Sequence, residues 1–228
     1  MTVPDEIQRA LRVGATSWWV NAVLAGAAPG DVAADHLPGL VIFPDGERMS
    51  WLSAVGRLRT AGVSGVNTRV TEAGDPAGLP GPVEVTRAAL AAGSVLTTDG
   101  SRLVMVPTAG GHWGCLPASP THGEPLGTLA EARSLMRTAM AELSAEFSGL
   151  DPDDEALASV AALRRLVDPV PPPGLEPRSA DVAATAVRVW WMSRIAAGLS
   201  DRRGLSCPPQ VRGLGPLARR ALSVAFSR

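Results

Sequence analysis

The sequence predicts an α+β protein: a small antiparallel sheet with flanking helices, followed by an all-helical C-terminal part packed onto it. Three observations carry this. The block Gly74-Asp-Pro-Ala-Gly-Leu-Pro-Gly-Pro82 is followed directly by an Ala-rich helix signal and an Asp-Gly hairpin. From Thr128 onward the apolar residues recur at helical spacing only. Strands do not alternate regularly with long helices, which argues against a doubly wound parallel sheet. The division falls at residues 1–125 for the mixed part and 126–228 for the helical part, the two expected to form one compact unit with a Pro-rich linker at 169–173.

Element by element, Val3–Val13 reads as a short amphipathic helix with Ile7, Ala10 and Leu11 on one side. Thr16 or Ser17 is placed to cap a second helix running to about Gly26. Leu40-Val-Ile-Phe43 is an apolar run of strand length ending at the Asp45-Gly46 turn. Ser50–Ala61 has helical spacing through Leu52, Val55 and Leu58, and Val66–Val70 reads as a strand.

In the Gly74–Pro82 block three prolines fix φ and three glycines permit φ > 0, so the segment is a stiff irregular loop. Pro82 suits the first position of a helix through Ala92, and Gly93 sits where a helix C-cap wants it. Ser94–Thr98, Asp99-Gly100 and Ser101–Val106 form the strongest hairpin signal, and His112–Leu116 adds a third antiparallel strand.

Thr128 with Glu131 matches a capping box ahead of a stripe through Leu129, Ala132, Leu135, Met136, Met140 and Leu143. Asp151–Glu155 puts acids at the start of a helix reaching Leu166. Pro169-Val-Pro-Pro-Pro173 has polyproline character. Two further helices are predicted over Ala180–Leu199 and Pro216–Phe226.

With 228 residues, 46% apolar and 19% charged, the chain belongs with folded globular proteins. All 21 basic residues are Arg and there is no Lys, a bias that fits a GC-rich genome. The apolar stretch Trp18–Ala28 is shorter than the roughly 20 residues a bilayer requires, and Asp5 and Glu6 precede it. Two cysteines make no disulfide framework. These features predict a cytoplasmic protein without a membrane segment.

Charge is unevenly spread. Residues 1–177 carry 12 Arg and 20 acids, net −8; residues 178–228 carry nine Arg and two acids, net +7. Two readings follow. Arg188, Arg194, Arg202, Arg203, Arg212, Arg219 and Arg220 contact phosphates of a nucleic acid, or the basic helices lie against the acidic surface of this chain or of another copy. The second is preferred, because no readable nucleic-acid motif or aromatic interleaving accompanies the arginines. The Trp18-Trp19 and Trp190-Trp191 pairs are either core or an exposed contact surface; Trp is the residue type favoured at interaction hot spots.

Chemistry is sparse. His112-Trp-Gly-Cys115 with His122 is a weak metal or nucleophile cluster, lacking CxxC or HExxH spacing. On a strand, His112 and Cys115 would face opposite sides. Asp75, in the stiff loop, is explained by turn initiation before Pro76, although such loops also gather functional side chains. No P-loop, Rossmann fingerprint or nucleophile elbow occurs, and no cofactor is implied.

The Gly74–Pro82 block, Ala88-Ala-Leu-Ala-Ala-Gly93 and Leu214-Gly-Pro-Leu-Ala-Arg-Arg-Ala-Leu222 resemble an uncharacterised protein family of GC-rich Gram-positive bacteria. The resemblance implies no activity, ligand or cofactor and transfers no site residue. The sequence therefore favours a non-catalytic protein that works through protein–protein contact or self-association. Trp18, Trp19, Asp75, Trp190, Trp191 and the C-terminal arginines are the contact candidates. The alternatives are nucleic-acid binding through those arginines, or a cryptic enzyme or metal site around His112, Cys115 and His122.

Overall fold

The computed structural model describes residues 3–79, 81–119, 126–148, 154–163, 169–202, 204 and 206–227. Helix α1 spans Asp5–Leu24, α2 Gly30–Ala34, α3 Trp51–Thr60 and α4 Val83–Ala92. Strands are β1 Leu40–Ile42, β2 Arg48–Ser50, β3 Gly65–Val70, β4 Ser94–Asp99, β5 Leu103–Pro107 and β6 Trp113–Pro117. Helices α5 Leu129–Ser148, α6 Asp154–Leu163, α7 Pro177–Arg202 and α8 Pro209–Phe226 complete the chain.

The strands form one sheet in the order β2-β1-β6-β5-β4-β3, antiparallel throughout except for the parallel pair β1–β6. The fold is α+β. Both faces of the sheet are covered, and β5 shows why three consecutive residues, Val104 to Val106, are all buried. Met105 joins Trp113, Cys115, Leu96 and Val66 under α1 and α3. Val104 and Val106 turn the other way and pack with Val95 under Val85 and Ala89 of α4. A continuous apolar run in a short strand is what burial on two faces requires.

Several elements follow their local chemistry. Ser50 Oγ accepts from Ser53 N (3.3 Å) and caps α3. Gly93 ends α4 at φ 78°, a conformation that costs a residue without a Cβ little. At α5 the predicted capping box closes in both directions: Glu131 N donates to Thr128 Oγ1 (3.2 Å) and Thr128 N to Glu131 Oε2 (2.7 Å). Thr128 N, and Thr128 Oγ1, which also donates to Glu131 Oε2 (3.0 Å), hold the Glu131 carboxyl below the usual carboxylate range.

The N-terminal helix departs from expectation. Instead of two helices, α1 is continuous through Thr16 and Ser17. Thr16 Oγ1 donates back to Arg12 O (2.9 Å), and Ser17 Oγ donates across to Val66 O (3.3 Å) on β3. Hydroxyls that could have capped a break are used elsewhere, so no break occurs.

Edge strand β3 fastens the helical part to the sheet. A bare edge exposes a row of backbone donors that would otherwise need water or another strand. Here Val66 N donates to Asn21 Oδ1 (2.7 Å), Thr68 N to Ser227 Oγ (3.1 Å) and Val70 N to Ser223 Oγ (3.1 Å). Helix α1, helix α8 and its C-cap residue Ser227 thus close the edge with side chains, every second residue along the strand.

Helices α1, α5, α7 and α8 share one core. Helix α7 packs against α5, α6 and α8, which accounts for its apolar circumference. Helix α8 starts at Pro209, two turns before the expected Pro216, which lies inside the helix on its exposed side. Leu135, predicted to lie in the α5 stripe, is 44% exposed, and Ala139 takes the buried position instead. Residues 151–153 and 164–168, where the start and end of the predicted Asp151–Leu166 helix fall, lie outside the described residues. The Pro169–Pro173 segment packs onto the body: Pro172 is buried, and Val170 O accepts from Trp19 Nε1 (3.2 Å).

Candidate functional site

The site is built where α8 crosses the end of β3 and the loop that follows it. Beyond Val70 the chain makes a tight reversal, with Glu72 N donating to Asp75 O (3.0 Å) and Asp75 N to Glu72 O (2.8 Å). Asp75 Oδ1 then accepts from Ala77 N (3.1 Å), and Ala77 adopts φ 54°, a left-handed conformation that strains a residue with a Cβ. The reversal points two carboxylates at α8.

Arg219 of α8 meets both. Its Nη1 lies 2.6 Å from Glu72 Oε2 and its Nη2 3.3 Å from Asp75 Oδ2. The Arg219 side chain is only 4% exposed, while those of Glu72 and Asp75 are 40% and 45% exposed. The guanidinium carbon sits 6.0 Å from the ring centre of Trp190, and Arg219 Nε is buried without a hydrogen-bond partner. One turn of α7 further on, Arg194 Nε lies 3.3 Å from Glu6 Oε1 and Nη1 3.9 Å from Glu72 Oε1. The basic C-terminal helices therefore lie, through Arg194 and Arg219, against acids of this chain's own body.

Around this ion cluster a cavity of about 270 Å³ opens, lined by Arg69, Asp75, Arg219 and Arg220 together with Val70, Leu126 and Leu217. Two neighbouring cavities adjoin it, of about 560 Å³ beside Asn67, Arg69 and Asp99, and about 690 Å³ between α5 and α8. All three share Leu126, so they form one groove along α8. Its α5 arm is lined by Leu135, Leu217, Ala221 and Val224, and its β3 arm by Arg69, Arg219 and Arg220 together with Asp75 and Asp99.

Arg69 is the residue that sequence reasoning missed. It lies on β3 amid Val66, Thr68 and Val70, and its one hydrogen bond, from Nη1 to Ala77 O, is long at 3.4 Å. Its Nε is buried and unpartnered, and no carboxylate among the described residues lies within ion-pair distance. Burial pulls Arg69 below its usual value; Asp99 opposes that and Arg220 adds to it. The local sequence gives no signal of this, because the groove's other wall lies about 150 residues further along the chain.

The other candidates separate. Trp18, Trp19, Trp190 and Trp191 are all buried, none more than 3% exposed. Trp18 Nε1 donates to Ala225 O (2.9 Å), and the Trp19 ring stacks on His36 with centroids 4.1 Å apart. These side chains fill the core of the chain and present no contact surface, correcting that expectation. Arg188, Arg202 and Arg220 are exposed. Arg203 and His122 lie outside the described residues.

Cys115 is buried beneath α1 and α3, while His112 sits in the Thr108–His112 turn with its Nδ1 buried and unpartnered. The two do not make a nucleophile–base pair. Burial pushes the Cys115 thiol up to about 12, with Arg57 opposing weakly, so it stays protonated at neutral pH and is a poor nucleophile or metal ligand. Among the described residues no three His, Cys, Asp or Glu side chains group around a possible metal position.

The raised thiol value carries a pH dependence. The folded state holds the Cys115 proton more tightly than the unfolded chain does, so unfolding releases it above the unfolded value of about 8.5. This contribution to stability is fully present below that value and is lost as pH rises toward 12. Denaturant unfolding at pH 7 and pH 10 should show a smaller decline in Cys115→Ala than in the wild type. A chromogenic thiol reagent at neutral pH should titrate Cys207 quickly and Cys115 only on unfolding.

Among the described residues, no helix is long and apolar enough to cross a membrane. No curated protein and no solved structure matches the chain. Residues 14–126, from within α1 to the groove residue Leu126, match the family model described as Rv1486c-like protein, N-terminal domain. Residues 14–126 are thus similar to that domain, and helices α5 to α8 follow the matched segment.

Proposed function

We propose that this is a non-catalytic binding protein that acts by protein–protein contact, and that its groove along α8 receives a segment of a partner protein. The observation that carries the reading is the continuity of the three cavities at Leu126, where the matched domain meets the C-terminal helices. Binding clefts favour such junctions. The groove has two characters. Leu135, Leu217 and Val224 suit the apolar side chains of an extended or helical segment, while Arg69 suits a negative group at one end. The partner is thus a segment with an apolar stretch ending in an acidic one.

Nucleic-acid binding is less well supported, because Arg194 and Arg219 are already engaged by Glu6, Glu72 and Asp75. The cysteine count, too low for a disulfide framework, supports a cytoplasmic location. The Arg-for-Lys bias and the Gly74–Pro82 loop support an origin in GC-rich Gram-positive bacteria.

The test uses a photo-crosslinking amino acid placed at Leu135 in the groove and, as control, at exposed Val83 on α4. In cells of the source organism, position 135 should yield a discrete protein adduct that position 83 does not. The crosslinked segment should carry an acid within a few residues of its apolar contact. Identical adduct patterns from the two positions, or an adduct to a basic segment, would reject the reading.

A further inference from the structure

Among the described residues, Arg69 has no carboxylate within ion-pair distance. Its guanidinium is partly withdrawn from water, its Nε is unpartnered, and among the described residues its one hydrogen bond is the long one to Ala77 O. Desolvating a charge without pairing it is costly, and a native structure that keeps such a group has a reason for it. Two other charges in the same cavity are accounted for: Arg219 is matched by Glu72 and Asp75. An incoming ligand therefore meets, at Arg69, a positive charge that no carboxylate among the described residues pairs at contact distance, with Asp99 acting on it only from further away.

The cavity limits what that ligand is. At about 30 Å³ per liquid water molecule, 270 Å³ corresponds to roughly nine waters, room for a small oxyanion and the first atoms attached to it. The guanidinium fork accepts a planar carboxylate through two parallel bonds. Asp75 forms part of the same wall and repels a dianion more than a monoanion. Val70, Leu126 and Leu217 supply apolar wall beside the charge.

We infer that the Arg69 cavity is a carboxylate-binding site, selective for a monoanionic carboxylate on an apolar stem over phosphate. This deepens the groove reading and rests on it for assigning the carboxylate to a protein partner: an acidic side chain or chain terminus enters at Arg69 while the preceding apolar residues lie along α8. Arg69 supplies the charge. Arg219 positions the wall by holding the Glu72–Asp75 reversal against α8.

The experiment follows the arginine Nε–H resonances of the ¹⁵N-labelled full chain during titration with butyrate, acetate and inorganic phosphate, at constant ionic strength set with sodium chloride. Butyrate should shift the Arg69 signal saturably, acetate more weakly and phosphate least. Arg69→Met should weaken the butyrate response seen at the other groove resonances about tenfold or more, the size expected for loss of one charged hydrogen-bonding group. Arg69→Lys should retain part of it, and Arg87→Met on α4 should change nothing. Circular dichroism checks that each variant folds, and the wild-type titration stands even if Arg69→Met does not.

No saturable shift in the wild type overturns the site, as does an undiminished response in a folded Arg69→Met. Tighter binding of phosphate than of butyrate overturns the carboxylate assignment. Because these probes are small molecules acting on the chain alone, the outcome separates from that of the crosslinking. A specific adduct at position 135 without a butyrate response rejects this inference alone. A butyrate response without an adduct rejects the protein-partner reading alone.

Discussion

Removing both acids that face Arg219, as Glu72→Gln with Asp75→Asn, is expected to destabilise the protein by about 3 kcal/mol or more, because it strands a buried charge. The asymmetry of exposure sets the sign and the order. The Arg219 side chain is 4% exposed, so its charge cannot escape into water. Glu72 and Asp75 are close to half exposed, so water rehydrates them when their partner is lost. Arg219→Met should therefore cost less than the double acid substitution, about 1–2 kcal/mol. Adding Arg219→Met to the double variant should restore part of what that variant lost. Urea unfolding with linear extrapolation measures all three. A double variant within about 0.5 kcal/mol of wild type, the range typical of surface substitutions, would show that the cluster does not hold α8 to the reversal after β3.

Gly14→Ala is the second large effect, and it runs against helix propensity. In an exposed helix interior this change gains about 1 kcal/mol. Here a Cβ at position 14 would fall well inside van der Waals contact of the Phe226 ring, whose Cγ, Cδ2 and Cε2 atoms already lie against α1. Phe226 cannot yield easily, being fully buried with its ring centre 4.7 Å from that of Trp18. Overpacking a tight core costs typically about 1–3 kcal/mol. The net expectation is a loss of about 2 kcal/mol, or a midpoint lower by roughly 4–8 °C in a chain of this size. A double-mutant cycle with Phe226→Leu should show a favourable coupling, the alanine costing less beside the smaller side chain. A Gly14→Ala protein that melts higher than wild type would mean that α1 and the end of α8 are not in this contact.

Much of the local architecture was legible because its causes are local. The Thr128–Glu131 box, the left-handed Gly93 and the Ser94–Val106 hairpin each lie within a few residues of the groups they satisfy. The errors share one cause: a distant partner. Ser17 looked like a cap because nothing nearby shows that its hydroxyl reaches Val66. Leu135 fits the helical stripe by spacing, yet α8 leaves a groove at that angle and exposes it. The tryptophan pairs were open between core and surface, since adjacent helical positions point about 100° apart and only the surrounding helices decide whether both directions are covered. The charge separation was plain in the composition, but which arginines it neutralises was not. Arg194 and Arg219 find acids, while Arg69, in the acidic part of the chain, finds none among the described residues.

By itself the sequence determined the α+β class, the order of most elements, the stiffness of the Gly74–Pro82 loop and the opposed charges of its two parts. Periodicity, backbone restrictions and composition act over one or two turns of chain and need no fold to express them. Only the tertiary structure decided that the edge of β3 is closed by Asn21, Ser223 and Ser227, that Arg219 rather than a tryptophan joins the loop to α8, and that Arg69 is left facing a cavity. Those outcomes depend on which surfaces meet across 45 to 159 residues of chain, and a hydrogen bond or ion pair is set by that meeting, not by the residues on either side of it.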